Sequence, residues 1–194
     1  MRFFAKTLIL PAVLAAAPAI AQDAEPFTGP SVVAVAGVDH ASGAGVDDTG
    51  FLYGGAVTYD LGAGQVRYGV EAEITGSTKG GCESGLVVTG DRSCYNTGRD
   101  FYAGGRLGVV VGQNVLLYGK AGYTNARLSG TYNDPATAAT PDVRFGDNND
   151  GYRLGAGAEF NAGKFLIRTE YRFSDYSDVA GARHQGVVGL GYRF

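Results

Sequence analysis

KFLIRTEYRFSD, residues 164–175, alternates without a break. Phe165, Ile167, Thr169, Tyr171 and Phe173 fall on one side of an extended chain, and Lys164, Leu166, Arg168, Glu170 and Arg172 on the other. A period of two marks a strand, because a helix brings residues onto one face every three or four positions. The fold turns on which of these faces looks outward. A soluble sheet would turn the charges to water, whereas a membrane barrel would turn the aromatic and aliphatic side to lipid and the charges to its interior.

The same period recurs on either side. QVRYGVEAEIT (65–75) sets Val66, Tyr68, Val70, Ala72 and Ile74 against Arg67, Gly69, Glu71 and Glu73. DFYAGGRLGVV (100–110) sets Phe101, Ala103, Gly105, Leu107 and Val109 against Asp100, Tyr102, Gly104, Arg106 and Gly108. With similar runs, these predict eight strands at 31–39, 51–60, 65–75, 99–110, 114–126, 151–160, 164–174 and 184–194. Composition agrees: 32 Gly, 12 Tyr and 10 Phe favour curved, aromatic-rich sheet over helices, in which Gly is costly.

The predicted connections alternate in length. Residues 61–64, 111–113 and 161–163 are tight Gly or Asn turns, while 40–50, 76–98, 127–150 and 175–183 are longer and polar. In an up-and-down meander every second connection lies at the same end. One end therefore carries only tight turns and the other all the long loops, as in outer-membrane barrels.

The charged face decides the orientation. Glu71, Glu73, Arg106, Lys120, Glu159, Arg168, Glu170 and Arg172 are interleaved with Gly69, Gly104, Gly108, Gly122, Gly155, Gly157, Gly189 and Gly191. Water-facing charges need no small neighbours, but long charged arms folded across an eight-stranded interior do. The other face has no charge in its middle stretches. It gathers Phe51, Tyr59, Phe101, Tyr152, Phe160, Phe165, Phe173, Tyr192 and Phe194 near strand ends, as interfacial girdles require. The expected fold is thus an all-β, eight-stranded antiparallel up-and-down transmembrane β-barrel over 31–194.

MRFFAKTLILPAVLAAAPAIAQ reads as a secretory leader over 1–21, with Arg2 and Lys6 before an apolar run and Ala19-Ile20-Ala21 as cleavage site. Residues 22–30 then form a periplasmic segment before the barrel. Losing the two leader cations takes the formal net charge from −3 to about −5, an acidic balance that argues against nucleic acid as a partner. Cys82 and Cys94 stand in a Gly- and Ser-rich stretch. In an exported chain a loop disulfide is the expected state and free thiols the alternative, since two thiols without adjacent His make a poor zinc site.

GYRLGAGAEF (151–160), a tight turn, KFLIRTEYRFSDYSD (164–178) and GLGYRF (189–194) together resemble the small "porin family" surface-antigen barrels of alphaproteobacteria, similar in form to OmpA, OmpX and the opacity proteins. The resemblance implies location in the Gram-negative outer membrane, both barrel ends of the chain in the periplasm, and insertion by the outer-membrane assembly machinery. It also implies that Leu190, Tyr192 and Phe194, on one face of the last strand, are the assembly signal which that machinery reads. Gly189, Gly191 and Arg193 would face the lumen, with the last strand paired to residues 32–38.

The central lumen positions carry four basic and four acidic residues, a balance that predicts mutual ion pairs filling the interior; a narrow small-solute or ion path is the alternative. His40-Ala41-Ser42 superficially matches the H-x-S arrangement of barrel lipid A deacylases but stands on the first strand, and His184 lies at a rim. Both histidines are expected at rims or in loops. GDNNDG (146–151) lacks EF-hand spacing, so Asp47, Asp48, Asp134, Asp142, Asp147, Asp150, Asp175 and Asp178 are read as a hydrated surface fringe. The expectation is a non-enzymatic, monomeric barrel without cofactor or metal. It would be embedded in lipid and lipopolysaccharide and display four loops to host or surface ligands.

Overall fold

The computed structural model describes residues 26–43, 46–85, 91–133, 143–177 and 182–194. The predicted leader, residues 22–25, and Asp134, Asp142 and Asp178 lie outside the described residues. The strands are β1 (Gly29–Gly43), β2 (Val46–Ala63), β3 (Val66–Ser77), β4 (Gly80–Ser84), β5 (Arg92–Val111), β6 (Val115–Asn133), β7 (Val143–Ala162), β8 (Phe165–Tyr176) and β9 (Ala182–Arg193). Every pairing is antiparallel. β3 pairs with β5 from Val66↔Val109 to Gly76↔Arg99, and β1 pairs with β9 from Ser31↔Arg193 to Ser42↔Ala182. These two seams join the meander into a ring of eight strands, which removes both sheet edges.

The short strand β4 prolongs β3 along the same edge of β5, paired only to the far end of β5. It is a ninth strand where the sequence predicted loop. Other elements also run past their predicted ends: β6 reaches Asn133, β7 starts at Val143 and β5 at Arg92. Beyond the aromatic level the outward positions turn polar and apolar residues such as Leu128 and Phe145 take the inward parity, so the pattern of the membrane stretch breaks off. The backbone ladder continues nonetheless, since its hydrogen bonds need no apolar face. Much of the stretches predicted as loops at 76–98 and 127–150 is therefore paired strand.

At the other end the connections are short, and Gly64, Gly112 and Gly163 adopt φ of 61°, 68° and 65°. Only glycine takes this left-handed conformation without steric cost, and such turns join twisted strands directly.

Burial inverts the usual order. Over FLIRTEYRFSDY Arg168, Glu170 and Arg172 are buried and Phe165, Ile167 and Tyr171 are exposed. No outward position between the aromatic levels carries a charge: Val57, Val70, Leu107, Leu117, Leu154 and Val188 are among those exposed. Phe165 to Phe173 is about 26 Å of strand, or about 20 Å along the axis at a tilt near 40°, close to the height of a bilayer-facing apolar band. At the tight-turn end Tyr192 packs edge-on to Phe165 at 5.7 Å and to Phe194 at 5.1 Å.

Cys82 and Cys94 are directly opposite in the β4–β5 ladder and form a disulfide. Tyr95 beside it donates to the Asp48 carboxylate at 3.2 Å, tying this hairpin to β2. Partial desolvation and then that carboxylate raise the Tyr95 phenol above its ordinary pKa. Because β4 pairs only with the far end of β5, beyond the membrane-crossing stretch, Cys82→Ser with Cys94→Ser is expected to leave barrel unfolding within about 0.5 kcal/mol. The same change should raise protease nicking between residues 78 and 98, read by limited proteolysis of the folded protein.

Candidate functional site: the charged lumen

The inward side chains form one alternating series of charges along the barrel axis. At the tight-turn end Arg193 donates to Glu159 at 2.5 Å and to Asp60 at 3.2 Å, while Arg106 reaches Asp60 at 3.3 Å and Glu159 at 3.2 Å. One layer further, Arg168 pairs with Glu71 at 2.8 Å and Lys120 with both Glu71 at 2.6 Å and Glu170 at 2.7 Å. Tyr118 donates to Glu170 at 2.6 Å. Arg172 then joins Glu170 to Glu73, and Arg153 joins Glu73 at 3.1 Å to Asp100 at 2.6 Å. At the long-hairpin end Arg183 bridges Asp100 and Asp39, and Lys79 meets Asp39 at 3.2 Å.

All eight charged residues singled out in the sequence are buried here and lie in this series. The structure adds Asp39, Asp60, Lys79, Arg153 and Arg183, and brings in Asp100 and Arg193, which the sequence already put on the inward side. Most of these occupy the inward parity near strand ends, where the sequence alternation is interrupted by polar residues on both faces. Asp60 and Arg153 stand at the inward parity inside the predicted strands 51–60 and 151–160, and extending the last strand by one position would have found Arg183.

Glycine makes room for these arms. A Cβ at Gly155 would stand 3.1 Å from the Lys120 stem, and one at Gly157 2.9 Å from the Tyr118 hydroxyl. Aromatic faces line the same arms: Arg106 lies 4.3 Å from the Tyr118 ring centre and Lys120 4.7 Å from that of Tyr102. The lumen is not polar all round. Val33, Val35, Leu52, Ala56, Leu166 and Val187 make an apolar cluster on β1, β2, β8 and β9 beside the charges that the same strands carry.

The tight-turn mouth is closed by a residue to which the sequence reading assigned no role. Phe27, 1% exposed and at φ 66°, inserts among Val110, Leu116 and Tyr118. Arg67 holds the entering chain by donating to the Pro26 carbonyl at 2.7 Å. No sequence period marks Phe27, because it precedes the first strand.

His40 and His184 face each other across the β1–β9 seam on the outward side. The His40 Nδ1 is 3.0 Å from Thr49 Oγ1, and the His184 Nδ1 is 2.6 Å from the Tyr171 hydroxyl. GDNNDG runs as part of β7, so Asp147 and Asp150 project to opposite faces. Among the described residues no group of three or more His, Cys, Asp or Glu side chains is placed to hold a metal ion.

A family model described as the outer membrane protein beta-barrel domain matches residues 8–194. The chain belongs to this family. Among solved structures it is similar to Ail, the attachment invasion locus protein of Yersinia pestis, in complex with the heparin analogue sucrose octasulfate. That match has 17% identity and a TM-score of 0.60 over 87% of this chain and 100% of that one. A second crystal structure of Ail gives 19% and 0.58 over the same shares. Neisserial surface protein A gives 14% and 0.54, over 86% of this chain and 98% of its own. At such identities the likeness shows the fold alone. No curated protein matches the sequence.

As an outer membrane protein β-barrel, the chain sits in the outer membrane. In such barrels the short turns face the periplasm and the long hairpins the exterior. Phe27 thus lies at the periplasmic mouth and the β4–β5 hairpin outside the cell. Leu190 and Tyr192 are on the outward face of β9 and exposed Phe194 follows its last residue; the Phe194 amide donates to the Pro30 carbonyl at 3.0 Å at the foot of the β1–β9 seam.

Proposed function

We propose that this barrel is a non-enzymatic envelope scaffold whose lumen is sealed and whose outer strands and loops meet the cell's surroundings. The observation that carries this reading is the unbroken series of buried ion pairs from Arg193 to Lys79. Each arm spans toward a partner on another strand, so an ion entering the lumen would have to separate paired charges held in a poorly hydrated interior. Phe27 adds an apolar stopper below them.

A narrow solute path is the second reading. It is favoured by Thr75, Tyr102 and Gln185, whose buried polar side-chain atoms lack partners. Such atoms are the usual lodging of internal water. Single-channel recording in planar bilayers separates the two. Near-zero conductance is expected from the wild type, and also from Phe27→Ala, because the ion pairs remain when the stopper is removed. Steady single-channel currents from a heat-modifiable wild-type barrel would replace the sealed reading with the second.

Against hydrolysis of lipid A, the His40 Nδ1 meets the Thr49 hydroxyl and the His184 Nδ1 the Tyr171 hydroxyl, where a catalytic histidine has an orienting carboxylate. Lipid A extracted from expressing cells should therefore keep its acyl chains. Loss of an acyl chain that vanished in His40→Ala would establish an enzyme.

A further inference from the structure

Above the outer aromatic level, β5, β6 and β7 continue as a sheet beyond the membrane. Its outward face carries Arg127 opposite Asn148, Ser129 opposite Gly146, and Arg144 opposite Thr131, with Asn96 of β5 beside Ser129. Arg127, Ser129, Thr131, Arg144, Gly146 and Asn96 line a groove of about 400 Å³. The two arginines bracket the Ser129–Gly146 pair. Gly146 leaves the floor between them open, and a Cβ there would stand 3.5 Å from an Arg127 Nη atom.

The arginines of the lumen sit against carboxylates. Arg127 and Arg144 differ: both are exposed, and among the described residues neither has an ion-pair or hydrogen-bond partner. The exposed carboxylate lower on this face, Asp150, is engaged by Tyr123 and by Asn125 at 2.6 Å. A bulge in β5 sets Gly98 and Arg99 together against Arg127, adding a third cation whose guanidinium lies 4.9 Å from the Phe101 ring centre. Like charges gathered this way repel unless an anion joins them, and guanidinium forks match the oxygens of phosphate or sulfate two at a time.

Height narrows the ligand. Tyr123 and Tyr152 are paired at the outer aromatic level, with Arg127 four residues beyond Tyr123 and Arg144 eight beyond Tyr152 on the antiparallel strand. That is about 13 and 26 Å along the strands, or roughly 10 and 20 Å above the girdle. An anion there lies among sugars, not among acyl chains.

We propose that this groove binds phosphate or sulfate monoester groups on a saccharide. Arg127 and Arg144 clamp the anion, and Ser129 and Asn96 bond its oxygens or neighbouring hydroxyls. The anion can come from the phosphorylated core of surrounding lipopolysaccharide or from a soluble glycan. The proposal rests on the surface-interaction reading above for its biological setting; conductance tests that reading, whereas binding tests this one.

The test compares wild type with R127Q/R144Q, both folded in detergent micelles as shown by heat-dependent gel mobility. Each is titrated with lipopolysaccharide carrying a phosphorylated core, with the same lipopolysaccharide after chemical dephosphorylation, and with dextran sulfate. The wild type is expected to bind phosphorylated lipopolysaccharide about tenfold more tightly than the variant, as losing charge-assisted bonds implies, with the difference gone after dephosphorylation. A difference confined to dextran sulfate supports the same site with a soluble glycan as source. Equal binding by both proteins in every titration overturns the proposal.

Discussion

Glu71→Leu is expected to lower the unfolding free energy by about 3–5 kcal/mol, and adding Lys120→Met should return most of that loss. Glu71 is buried and accepts from Lys120 at 2.6 Å and Arg168 at 2.8 Å, with Arg106 at 3.6 Å. Removing it alone leaves these cations buried with too little negative charge between them. Lys120 retains Glu170 and Arg168 retains Glu159, so the single loss is bounded rather than catastrophic. Removing one cation together with the carboxylate restores the balance and replaces both by apolar volume. The measurement is a urea titration in phospholipid vesicles, followed by heat-dependent gel mobility. Additive losses in the double variant would show that the lumen residues act independently and not as a coupled network.

Val188→Arg should cost about 2–4 kcal/mol in the same vesicles, whereas Val143→Arg should stay within about 0.5 kcal/mol. The two valines are equally accessible, at 60% and 59%. Their surroundings differ. Val188 lies opposite Thr169, midway between the Phe165↔Tyr192 and Phe173↔His184 pairs, and so at the middle of the apolar band. Val143 lies opposite Tyr132 on the sheet beyond the membrane. A guanidinium at the first position must be desolvated or must distort the bilayer; at the second it enters water. Equal effects at the two sites would mean that the outward face does not meet lipid.

Particular residues show how far the sequence can be read. Arg168, Glu170 and Arg172 share a side of KFLIRTEYRFSD in any extended chain, so their common face follows from covalent geometry. The small residues among the charges then favour an enclosed face over a wet one. The outer extensions were not legible this way, because beyond Ala126 the apolar residues Leu128 and Tyr132 change to the inward parity and the outward one turns polar, which breaks the pattern of the membrane stretch. Strand β4, GGCES, carries no apolar period. Phe27 had no alternating neighbours to place it, and Arg127 and Arg144 became a pair only when β6 and β7 were aligned.

The sequence by itself determined the strands that cross the membrane, their inward and outward faces and the unequal ends of the barrel. Alternation, turn chemistry and side-chain size are properties of short stretches of chain. Only the tertiary structure decided which charges meet. Arg172 reaches Glu73 across 99 residues of sequence and Arg183 reaches Asp39 across 144. Those pairings depend on the stagger of each strand against the next. Stagger and twist accumulate around the closed ring, so a partner across the lumen is settled by all eight strands at once and by no local pattern.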